Sequence, residues 1–168
     1  MNLKKNGQQK DNMIKITIIS IGKLKESYWK EAEAEYLKRL SAFAKVEIIE
    51  HKEIGFSEKD NTESIKEKES EIIQSSIPSS SYVIALDPHG KSFTSAELSK
   101  NLVSLEQNNS HFTFIIGGPL GLHESIFKKT NLTLSLSPLT FTHQMTRVIL
   151  LEQVYRAYMI KSGKSYHH

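Results

Sequence analysis

Phe112-Thr113-Phe114-Ile115-Ile116-Gly117-Gly118-Pro119-Leu120-Gly121 is the stretch that decides the fold. Uncharged from end to end, it reads as a buried strand halted by glycines. A similar layout returns in Leu132-Thr133-Leu134-Ser135-Leu136. That strand enters the loop Ser137-Pro138-Leu139-Thr140-Phe141-Thr142, which opens a long helix near His143-Gln144-Met145-Thr146-Arg147. Two strand ends with tight loops, feeding one basic helix, predict a small-molecule pocket beside an anion-binding surface. The site is expected near the C-terminus, whereas a simple dinucleotide-binding unit carries it near the N-terminus.

Outward from that stretch the chain alternates strands and helices. Ile14–Ile21 is an apolar strand ended by Gly22. Leu24, Tyr28, Ala32, Tyr36 and Leu40 recur at helical spacing, which predicts a helix over 25–41. Val46–Glu50 is a short strand and 51–61 a loop. Glu63–Ile77 is a charged helix with Ile65, Ile72 and Ile73 as its thin apolar side, stopped by Pro78. Tyr82–Leu86 is a strand, followed by a turn at Asp87-Pro88-His89-Gly90. Thr94 with Glu97 forms a capping box for a helix to about Gln107. Strand 111–116, a short helix near 123–129, strand 131–136 and a helix over 144–161 complete the series. The expected fold class is α/β, a parallel sheet with helices on both faces.

The chain of 168 residues, 38% hydrophobic and 24% charged, suits one globular domain with its own core. Residues 1–12 are polar and lack an apolar period, so they are expected to be a disordered extension, with the domain over 13–168. The absence of cysteine excludes disulfides and thiolate metal sites and points to a reducing, cytoplasmic compartment. No apolar run reaches the ~20 residues of a membrane span, and no apolar core follows the N-terminal lysines. The net charge of +3 is unevenly spread. Residues 45–71 hold nine acids against five lysines, whereas 120–168 hold six bases against two acids. A basic end on a near-neutral body suits contact with phosphate, and equally a solvated charged surface.

Gly117-Gly118 with Gly121 lets backbone approach a ligand closely, and it also makes an ordinary strand-to-helix turn. It is neither a dinucleotide fingerprint nor a P-loop. The histidines are scattered without metal-ligand spacing, so no metal is expected. His143 and Arg147 stand one helical turn apart and share a side. Glu152 and Arg156, also four apart, read as a helix salt bridge. Met145, Val148, Leu151, Tyr155 and Tyr158 form an apolar stripe that suits either the core or a dimer surface.

Taken together, several of these runs resemble a family. They are Ile116 through Leu122, Leu136 through His143, and Arg147 through Ala157, joined by Ile19 through Lys25 and the tail Gly163-Lys164-Ser165-Tyr166-His167. They look like the ribosomal RNA large-subunit methyltransferase H family, small SPOUT methyltransferases of 23S ribosomal RNA. The resemblance runs from Met13 to the C-terminus. One departure is Thr142, where the family often carries proline.

The resemblance implies a C-terminal trefoil knot, against the general rule that chains do not thread. It implies a homodimer whose pocket is completed by the second subunit. It implies S-adenosyl-L-methionine as cofactor, held by Leu86, Gly117 and the loop Leu136, Ser137, Pro138, Leu139, Thr140 and Phe141. The implied reaction is methylation of N3 of the pseudouridine conventionally numbered 1915, in helix 69 of 23S rRNA, on the assembled ribosome. Such chemistry needs in-line placement and removal of a weakly acidic imide proton. Candidates for the base are His143, Tyr166 and His167, and Arg147 is a candidate to stabilise the imide anion or hold a phosphate. Two alternatives stay open: a knotted methyltransferase acting on transfer RNA, and a non-catalytic RNA- or ligand-binding module.

Overall fold

The computed structural model describes residues 13–164 and Tyr166. The expected extension over 1–12 and the tail histidine His167 lie outside them. Five strands form one sheet: β1 (Ile14–Ile21), β2 (Ala44–His51), β3 (Tyr82–Ser92), β4 (His111–Ile116) and β5 (Leu132–Ser135). Their order is β2-β1-β4-β3-β5, and every pairing is parallel. The helices are α1 (Ser27–Leu40), α2 (Thr62–Ser76), α3 (Ser95–Glu106), α4 (Glu124–Phe127) and α5 (His143–Lys161).

Strand alternation divides the core in two. On β1, Ile16 and Ile18 face one side, where Leu40 of α1, Leu98 and Leu102 of α3, and Leu150, Leu151 and Val154 of α5 cover the sheet. Ile19 and Ile21 face the other side, against Ile73 of α2 and Ile126 of α4. A strand covered on both faces has no solvent side, which is why β1 and β4 carry apolar residues toward both sides, with Thr17, Ser20 and Thr113 buried among them. The α/β class with helices on both faces is therefore as expected.

Local capping follows the sequence. Thr94 Oγ1 accepts from the Glu97 backbone N–H (3.2 Å), and Glu97 Oε2 accepts from that of Thr94 (2.7 Å). Asn61 caps α2 by accepting from Glu63 and Ser64.

Three local expectations change. First, β3 does not end at Leu86. It runs on to Ser92, because Leu86 and Lys91 both register against Leu134 and 87–90 bulge out between them. Asp87 closes that bulge by accepting from His89 N (2.8 Å). Second, α1 begins at Ser27, and Tyr28 of its expected apolar stripe is exposed. The buried line on α2 is Ile65, Glu69 and Ile73, while Ile72 faces out. Third, the apolar stripe of α5 splits. Leu151 and Tyr158 lie in this chain's own core, whereas Met145 is exposed and Val148 and Tyr155 are half-buried.

Candidate functional site

The sheet order reverses direction around β4. The connection through α3 steps from β3 to β4, and the one through α4 jumps back over β3 to the edge strand β5. Ligand crevices form outside the carboxyl ends of strands at such a reversal. The loop 136–142 leaves the edge strand and runs to α5, which packs between α1 and α3. A cavity of about 620 Å³ lies there, within the range of small-molecule sites.

The cavity brings together most of the residues expected from the sequence. Leu86, Gly117, Leu136, Ser137, Leu139, Thr140, Phe141 and His143 line it; Pro138 does not. Lys25, Glu53, Asp87 and Gln144 also line it and were not singled out from the sequence. Their signal was weak, because Lys25 and Glu53 lie in loops, Asp87 in the bulge of β3 and Gln144 at the start of α5, and these meet only across the sheet ends. Lys25 and Glu53 form an ion pair at 3.5 Å. Asp87 bonds the exposed ring of His89 at 3.0 Å.

Gly117, Gly118 and Gly121 line the cavity, and two of them also serve the fold of their own loop. A Cβ on Gly117 would stand 3.0 Å from the Gly121 carbonyl carbon and 3.1 Å from the Leu122 side chain. A side chain at Gly117 would therefore crowd the loop where it folds back on itself. Gly121, at φ 79°, makes the left-handed step that the return needs.

His143 is held at the start of α5 by a separate glycine. Gly22, at φ 95°, ends β1, and a Cβ there would lie 2.6 Å from His143 Nε2. The imidazole thus packs on bare backbone, with Nε2 3.4 Å from the Lys23 carbonyl oxygen. A proton held on Nε2 toward that oxygen leaves the lone pair on Nδ1. Next to it, Gln144 Oε1 accepts from the Lys25 backbone N–H at 2.8 Å. Gly22→Ala is expected to lower stability by about 1–3 kcal/mol, from both the left-handed backbone and the displaced ring. An unchanged denaturation midpoint would show that the ring does not depend on this contact.

Arg147 is not in the cavity. It is 1% exposed and forms ion pairs with Glu33 of α1 (2.5 Å) and Glu50 of β2 (2.6 Å). Burial raises the Glu33 pKa; the Arg147 guanidinium opposes that shift and Glu50 adds to it. This buried cluster ties α5 to α1 and β2. It leaves Arg147 no open face for a phosphate or an imide anion, contrary to the role expected from its spacing with His143.

Tyr166 also lies away from the cavity. Its backbone carbonyl accepts from Arg156 Nη1 (3.1 Å), its ring meets Tyr155 edge-on (5.2 Å), and the Arg156 guanidinium lies over it (4.5 Å). Arg156 in turn pairs with Glu152 at 2.6 Å, the helix salt bridge expected from their spacing. Between His143 and Arg156 runs about 20 Å of helix at 1.5 Å per residue. Within one chain, Tyr166 and the cavity are therefore remote from each other.

Among the described residues no helix is long and apolar enough to cross a membrane. A family model described as "Predicted SPOUT methyltransferase" matches residues 14–167. The chain is also similar in fold to a solved structure described as a probable methylase family protein from Haemophilus influenzae Rd KW20. That match has a TM-score of 0.51 at 14% identity and covers 92% of this chain and 70% of the other.

Proposed function

As the chain belongs to the SPOUT methyltransferase family, we propose that it methylates N3 of pseudouridine 1915 in helix 69 of 23S rRNA on the assembled ribosome, using S-adenosylmethionine. The observation that carries this reading is the cavity where the ends of β3, β4 and β5 meet the start of α5, built from the same runs that resemble the ribosomal RNA large-subunit methyltransferase H family. The course from the edge strand β5 back to a place between α1 and α3 suits the threaded C-terminus of that family.

The residues present fit the cofactor. Leu86, Ile116, Leu134 and Leu136 offer an apolar slot for an adenine ring. Ser137, Thr140 and the loop backbone offer hydrogen-bonding groups for a ribose and an amino-acid tail. When bound, the cofactor supplies an activated sulfonium methyl, so no covalent nucleophile is required of the protein. The protein's share is placement of the two reactants and removal of the imide proton. His143, with Nδ1 as acceptor, stands at the cavity for that task. Tyr166 and His167 would serve it from a second copy, because Tyr166 of the same chain is held beside Arg156, some turns of α5 away from His143.

A homodimer follows from this reading. Met145, Val148 and Tyr155 lie on the less buried side of α5, with Tyr155 against Tyr166, and would form or border a two-fold interface. Sedimentation at micromolar concentration is expected to give a dimer. A monomer there would count against a shared site. Methyl transfer from labelled S-adenosylmethionine tests the function itself, with intact ribosomes, naked ribosomal RNA and transfer RNA as acceptors. Labelling of ribosomes alone is expected. Labelling of transfer RNA would favour the related knotted enzymes, and no labelling at all a binding module.

A further inference from the structure

Glu69 occupies a core-facing position of α2, one turn from Ile65 and one from Ile73, with 4% of its surface exposed. A carboxylate in such a place is costly unless hydrogen-bonded and paired. One oxygen is accounted for, since Oε1 accepts the Ile54 backbone N–H at 3.1 Å. No cation answers the charge. Among the described residues, the ionisable group acting on it is Glu53, another acid, and burial raises its pKa. On the α4 side, His123 engages Glu63 instead, at 3.6 Å. The end of β1 and the Gly117–Gly121 loop carry no charged side chain.

The second oxygen faces the cavity wall. A Cβ on Gly118 would stand 3.4 Å from Glu69 Oε2, with Ile21 beside it at 2.9 Å. Gly118 lines the cavity, and so does Glu53, the neighbour of Ile54. Glu69 thus braces two walls and sits one backbone layer behind them. The acids that line the cavity, Glu53 and Asp87, are partly exposed and already hold Lys25 and His89.

We propose that Glu69 is the fixed counter-charge for a cationic ligand in this cavity, and that it selects the sulfonium cofactor over its neutral thioether product. The proposal rests on the methyltransferase reading above. The two molecules differ by one methyl group and one positive charge on sulfur. Loss of the methyl as a cation leaves the electron pair on sulfur and removes the charge that Glu69 answers. Release of the spent cofactor is thereby favoured. Cation binding also lowers the carboxyl pKa, so cofactor uptake expels a proton wherever Glu69 was protonated.

The test is calorimetry on the full chain with S-adenosylmethionine and with S-adenosylhomocysteine. It uses two buffers of different ionisation enthalpy, over a pH range of about 5 to 8. Glu69→Gln is expected to weaken S-adenosylmethionine binding ~10-fold and S-adenosylhomocysteine binding by less than ~2-fold. Glu69→Asp, which keeps the charge, is expected to retain the preference. In the unmutated protein, only the sulfonium compound is expected to release protons at the acid end. Equal weakening of both ligands in Glu69→Gln would overturn the proposal and leave the cofactor assignment standing. So would equal proton release in the unmutated protein, a readout that holds even if the variants fail to fold. Binding of neither compound would overturn the cofactor assignment, and this proposal with it.

Discussion

Gly117→Val is expected to weaken S-adenosylmethionine binding by ~10²-fold and to leave the proposed dimer intact. The cause is internal to the loop. The first carbon of the new side chain already meets Gly121 and Leu122 at 3.0 and 3.1 Å, and valine adds two methyls beyond it. Relief requires the 118–122 segment to move off the end of β4. Overpacking of that kind costs about 1–3 kcal/mol. Taken wholly from the cavity wall, the upper end corresponds to ~10²-fold in affinity. Gly117→Ala asks only a few tenths of an ångström of the same neighbours, so its loss is expected to be much smaller. Calorimetry measures the affinities and sedimentation checks the dimer. Unchanged binding in the valine variant would mean that the cofactor does not use this wall.

Removing residues 165–168 is expected to lower methyl transfer ~10²-fold or more, the scale of losing a positioned acid–base group. Folding and cofactor affinity are expected to change little. Tyr166 touches Tyr155, Arg156 and Tyr36 beside α5 and is not itself among the residues of either core. It is also absent from the cavity lining. A selective loss of turnover would therefore mean that the tail works in another subunit's cavity. Tyr166→Phe and His167→Ala would then divide the roles. Full activity after truncation would make the tail dispensable and return the search for the base to His143.

The alternation of elements was legible because each strand carries its own signal. Runs such as Phe112–Ile116 are uncharged and mostly apolar, and helices announce themselves by caps such as Thr94 with Glu97. Pairings between distant segments were not legible. Asp87-Pro88-His89-Gly90 has the composition of a terminal turn. Whether it ends a strand or bulges from one depends on Leu134, which takes both flanks as partners. The i, i+4 spacing of His143 and Arg147 correctly joined them on one side of a helix. It did not reveal that Glu33 and Glu50 wait at the second position, so one residue faces the cavity and the other a buried ion pair. Glu69 is one of several acids on a helix whose apolar side was expected to be Ile65, Ile72 and Ile73. Its position one turn from both Ile65 and Ile73 was the signal that it points inward, and the 52–61 loop that covers it carries no pattern of its own.

The clasp between the end of β1 and the start of α5 bears on the order of assembly. Gly22 with His143, and Lys25 with Gln144, join segments from opposite ends of the domain. Contacts of such sequence separation form late, because the chain between them must be ordered before they repay its entropy. While the protein is being synthesised, the sheet up to β4 can gather, but its pocket stays unfinished until the final helix has emerged and docked. Amide protection at residues 22–25 is accordingly expected to appear after that of β1 and β4 during refolding, and simultaneous protection would contradict this order. A chain built this way gains its ligand site in the last step of becoming folded, so incomplete copies would not hold the cofactor.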